Sequence, residues 1–84
     1  MKTVVKVIGM GDRVSGQNRS TGKPYDFRKV AFSFVNSYGS NDVSINIVDG
    51  STLDDLSVNT GDEFRASVVQ VKNQYYIDLL EPVY

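Results

Sequence analysis

The chain of 84 residues has neither cysteine nor histidine. Without thiols there is no disulfide scaffold, no thiolate nucleophile and no iron–sulfur ligand set. Without imidazole, zinc centres and the commonest acid–base group are excluded as well, so no cofactor is expected. Helix formers are also scarce: 2 alanines and 4 leucines stand against 13 valines and 4 isoleucines. β-Branched side chains suit a pleated surface better than a helix, which points to an all-β fold. No apolar run approaches the roughly 18 residues needed to span a bilayer. Met1-Lys2-Thr3-Val4-Val5-Lys6 alternates too early for a signal sequence, so the expected location is the cytoplasm, with no membrane partner. A chain this short is expected to form one domain over residues 1–84.

Net charge is only −1, but it is unevenly spread. Residues 1–30 carry seven basic side chains and two acids, a balance of +5, and residues 31–84 carry −6. That asymmetry predicts one basic face on an otherwise acidic body.

Alternation of apolar and polar residues predicts strands over Lys2–Ile8, Tyr25–Val35, Asp42–Val48, Glu63–Val71 and Tyr75–Leu80. In the second strand Val30, Phe32 and Phe34 form a core stripe, and Tyr25, Phe27, Lys29, Ala31 and Ser33 point the other way. In the third, Val43, Ile45 and Ile47 are expected inward, with Ser44 and Asn46 outward. Gly39 is placed for a positive φ in the Asn36–Asn41 loop, and a tight turn is expected at Asn73-Gln74. Ser51–Ser57 is the one expected helix, capped by Ser51 or Thr52, with Asp54 and Asp55 in its first turn. Gly9–Pro24 holds four glycines and three basic residues and reads as a long functional loop, with Arg13–Ser15 able to extend it as a β-ribbon. Five strands with a small helix between the third and fourth is the plan of a five-stranded OB-type barrel.

The acids make no catalytic pair. Asp54 and Asp55 are adjacent, so they diverge on a helix, and a serine nucleophile would lack its usual base. Gly9-Met10-Gly11 starts like a dinucleotide fingerprint, but Val14 fills the third glycine position and no helix follows. The expectation is a protein that is not an enzyme.

The informative constellation is Arg13, Arg19, Lys23, Tyr25, Phe27 and Lys29. Basic side chains attract phosphates, and exposed rings beside them offer surfaces on which unpaired bases stack. The same pattern fits a small β-barrel module that binds another protein.

Thr21-Gly22-Lys23-Pro24-Tyr25, followed by an alternating strand, resembles the gene V protein family, the single-stranded DNA-binding proteins of filamentous phages. The resemblance implies an OB-type fold, a homodimer, and binding of single-stranded DNA with little sequence preference in phage or mobile-element replication; the basic and aromatic pattern itself leaves RNA open as an alternative ligand. It further implies stacking by Tyr25, a backbone contact by Lys23, ribbon contacts by Arg13 and Arg19, and an exposed loop tyrosine at Tyr38. Two features depart from that family: the last strand carries Asp78 and Glu81 rather than arginines, and the turn at Asn73-Gln74 is short.

Overall fold

The computed structural model describes residues 1–83. Its elements are β1 (Lys2–Gln17), β2 (Pro24–Val35), β3 (Asn41–Asp49), α1 (Gly50–Asp55), β4 (Glu63–Val71) and β5 (Gln74–Pro82). The strands form one antiparallel sheet in the order β3-β2-β1-β4-β5, so the first strand lies at the centre. Among the described residues no helix is long and apolar enough to cross a membrane.

β1 runs well past its expected end. Lys2–Lys6 pair with β4, and Val5–Gln17 pair with β2. The register slips between Val7 and Gly9 and again between Met10 and Arg13; such bulges bend a strand and increase its twist. Past Val14 and Phe27, where β3 ends, β1 and β2 continue as a two-stranded ribbon. The stretch expected as a long loop is therefore strand as far as Gln17, and only Asn18–Lys23 connects the two arms. Asn18 closes that connection: its Oδ1 accepts the backbone N–H groups of Ser20 at 2.9 Å and Thr21 at 3.3 Å.

The core lies on one face of the sheet. Val5, Val7, Val30 and Ala66 are fully buried, joined by Phe32, Phe34, Phe64 and Val68. α1 and the turn after it close this face with Leu53 and Val58. The helix is shorter than expected and starts one residue earlier. Asp49 is its N-cap residue, so neither Ser51 nor Thr52 caps it, and Asp54 and Asp55 end the helix rather than begin it. The Ser51 hydroxyl instead donates to the Asp49 carboxylate at 2.5 Å and helps hold that carboxyl below the usual range.

The expected core side of β3 is reversed. Val43, Ile45 and Ile47 are 62%, 64% and 64% exposed, and Val48 is the buried residue. The cause is register. The loop Asn36–Ser40 aligns Val35 with Asn41, so Ser33, Ala31 and Lys29 pair with Val43, Ile45 and Ile47. Directly paired residues share a face, and a one-residue slip would exchange the two faces. With Val30, Phe32 and Phe34 inward, their partners Asn46, Ser44 and Asp42 lie on the inner side.

β3 and β5 are the outer strands of the sheet, which no backbone ladder closes. Side chains bridge them. The Ile77 N–H donates to Asn46 Oδ1 at 3.1 Å, and the Tyr75 hydroxyl donates to Asp42 at 2.9 Å. Tyr75 also packs edge-on against Phe34, with ring centroids 5.1 Å apart.

Candidate nucleic-acid interface

The sheet surface opposite the core carries Tyr25, Phe27 and Lys29 in sequence along β2. Alternation puts them on one face, and the pairing extends that face: Val14 lies opposite Phe27 on β1, and Ile47 and Ile45 flank Lys29 and Ala31 on β3. The Tyr25 and Phe27 rings sit 6.0 Å apart and are tilted by 37°. Tyr25 is 42% exposed. Gly16 lies opposite it in the ladder, and a methyl group there would stand 2.7 Å from the Tyr25 hydroxyl and 2.9 Å from Cζ. Glycine at that point lets the ring lie down across the ribbon, which leaves its far side open to solvent.

The basic residues divide. Arg19 and Lys23 occupy the exposed ribbon tip, and Lys29 lies on the exposed face beside Phe27 and Ile47. None of these three forms an ion pair among the described residues. Arg13 differs. It pairs with Arg28 across the ladder, on the side of the sheet that faces α1. Its Nε and Nη2 bind both oxygens of Asp26 at 2.8 and 2.6 Å, and Nη1 and Nη2 bind both oxygens of Asp54 at 3.0 and 3.2 Å. These hydrogen bonds hold both carboxyls below the usual range and stabilise the Arg13 charge further. One guanidinium thus ties the ribbon to the helix. Gly50 makes room for it, because a side chain there would collide with the Asp26 carboxylate and stand 2.7 Å from Arg13 Nη2. Arg28 is engaged as well, through Nε to the Gly11 carbonyl.

Tyr38 is 91% exposed at the tip of the β2–β3 loop. It lies at the opposite end of β2 from Tyr25; the ten residue rises from Tyr25 to Val35 span about 33 Å. The structure therefore brings Tyr25, Phe27 and Lys29 together, with Lys23 and Arg19 beyond them on the ribbon. It sets Arg13 on the other face and Tyr38 at the other end.

The exposed face does not stop at β3. A groove of about 570 Å³ runs along the line where β3 and β5 face each other, with Lys29, Ile45 and Ile47 on one side and Val69 and Tyr76 on the other. Ile45 and Ile47 escaped the sequence reading because their alternation looked like a core stripe. Tyr76 had a usable signal: it shares its side of β5 with Asp78, which favours the solvent-facing side. No family model, curated protein or solved structure matches the chain.

Proposed function

We propose that the protein binds single-stranded nucleic acid, with DNA the first candidate and RNA the alternative, without catalysis and largely regardless of base sequence. The observation that carries this reading is one exposed face on which Tyr25, Phe27 and Lys29 lie beside Ile45 and Ile47, continuous with a ribbon tip bearing Arg19 and Lys23. The rings and the apolar side chains beside them take the bases, and the three cations take the backbone. In the same reading the sheet is an OB-type barrel whose β3–β5 junction is closed by side chains; in such barrels the strand 2–3 face binds oligonucleotides. The resemblance at Gly22–Tyr25 suggests phage or mobile-element replication as the setting. Addition of an oligothymidylate to labelled protein is expected to shift backbone amides of Lys23–Ala31 and Ile45–Ile47 first. Shifts confined to the α1 side, or none at all, would overturn the proposal.

A second reading is a protein-interaction module without nucleic-acid binding, with a second copy of the chain as partner through the same face. It is favoured by Val43, Ile45 and Ile47, since fully burying one such side chain is worth about 1.5–3 kcal/mol. A concentration-dependent dimer whose formation Ile45→Ser abolishes, with no affinity for single strands, would select it.

A further inference from the structure

We propose that the groove between β3 and β5 is a subsite that prefers guanine at one base of an otherwise sequence-tolerant strand, an inference that rests on the single-strand reading above. Its volume of about 570 Å³ lies within the roughly 300–1,000 Å³ usual for small-molecule sites. Ile45 and Ile47 form one apolar wall. Tyr76, 51% exposed, stands on the other as a ring on which a base can stack. Ser67 lies opposite Asp78 and Val69 opposite Tyr76 in the β4–β5 ladder, so Tyr76 and Asp78 share a face about 6.8 Å apart along the strand. A base stacked on Tyr76 directs one edge toward Asp78.

Of the polar side chains lining the groove, Lys29, Asn46, Ser67, Gln74 and Asp78, only Asp78 is an anion, and it decides which base fits. Asn46 also lines it but is engaged: Oδ1 accepts the Ile77 N–H, and Nδ2 donates to the Ser44 hydroxyl at 3.0 Å. Asp78 makes no side-chain hydrogen bond or ion pair among the described residues, and its carboxylate offers two acceptors side by side. Guanine alone among the DNA bases presents two adjacent donors, N1–H and the N2 amine, on its Watson–Crick edge. Adenine and cytosine present one donor beside an acceptor, and thymine presents one donor between two carbonyls that a carboxylate repels. Lys29, at the β2 side of the groove, offsets the repulsion between Asp78 and the strand's phosphates.

The test is competition binding with nonathymidylate and with the same strand carrying a central guanine, inosine or adenine. Guanine is expected to bind about tenfold tighter than adenine, the lower range of one bidentate base contact. Inosine, which lacks the N2 amine, should fall between them. Asp78→Asn should abolish the guanine preference and leave nonathymidylate binding undiminished, since the substitution removes a negative charge from an exposed position. Equal affinity for guanine and adenine in a protein that binds nonathymidylate would overturn this inference alone, as would a preference that survives Asp78→Asn. Failure to bind any of the four strands would overturn both this inference and the function on which it rests.

Discussion

The backbone N–H of Ile77 on β5 donates to the side-chain Oδ1 of Asn46 on β3 at 3.1 Å. A side-chain amide thus stands where a closed barrel would have a backbone ladder. Asn46→Ala leaves a partly buried N–H without its partner, which should cost about 1–3 kcal/mol. Urea denaturation measures this, and an unchanged midpoint would show that the junction contributes nothing. Tyr75→Phe removes only the bond to Asp42 and should cost less, about 1 kcal/mol.

Opposite faces of β3 and β2 should respond differently to substitution. Ile45→Thr lies on the exposed face and should change stability by no more than about 0.5 kcal/mol. Phe32→Ala empties the centre of the core and should cost about 3–5 kcal/mol. Similar losses from both would restore the inward orientation that alternation alone suggests for Ile45.

Arg13 and Lys29 make a second contrasting pair. Lys29→Ala should make the salt dependence of single-strand affinity shallower by about 0.7 in log–log slope, the value for one phosphate contact. Arg13→Ala should leave the slope unchanged, because Asp26 and Asp54 already occupy its guanidinium. A shallower slope for Arg13→Ala would mean that the guanidinium leaves its carboxylates to meet the strand.

The same cluster sets an acid response. The Arg13 hydrogen bonds hold Asp26 and Asp54 below the ordinary carboxyl range. A depressed folded-state pKa gives stability that is present above the unfolded value of about 3.9 and is lost as pH falls through the folded value. Melting temperature should therefore drop on acidification below about pH 4, and less steeply in Arg13→Ala than in the parent. Parallel acid profiles for the two proteins would contradict this.

The β4–β5 turn is Lys72-Asn73, one residue earlier than the expected Asn73-Gln74, because Gln74 already pairs with Val71, and Lys72 has a φ of +57°. Glycine takes that conformation without the Cβ penalty, so Lys72→Gly should stabilise the fold by up to about 1 kcal/mol. A lower melting temperature would show that the lysine side chain contributes more than its backbone strain costs.

Much of this arrangement was legible in the sequence, and its limits were specific. Alternation in Tyr25–Val35 placed Val30, Phe32 and Phe34 inside and Tyr25, Phe27 and Lys29 outside, because the large apolar Val30, Phe32 and Phe34 alternate there with the small Ala31 and Ser33. β3 misled because its apolar residues are the exposed ones. Its face is set by pairing with β2 across the Asn36–Ser40 loop, and its polar residue Asn46 is needed at the β5 junction. The fate of Arg13 was equally non-local: Asp54 lies 41 residues away, and only the fold brings the two together. Charge type told that the first 30 residues could meet phosphate; it could not tell which cations the protein's own acids already hold.

The most direct test of single-strand binding is a titration with an oligothymidylate, followed by tyrosine fluorescence at several salt concentrations. If Arg19, Lys23 and Lys29 meet three phosphates, log affinity should fall against log salt with a slope of about −2, and Tyr25→Ala should weaken binding by about 1–3 kcal/mol with little change in stability. No saturable fluorescence change, or a slope near zero, would contradict the account and leave the exposed β2–β3 face to a protein partner.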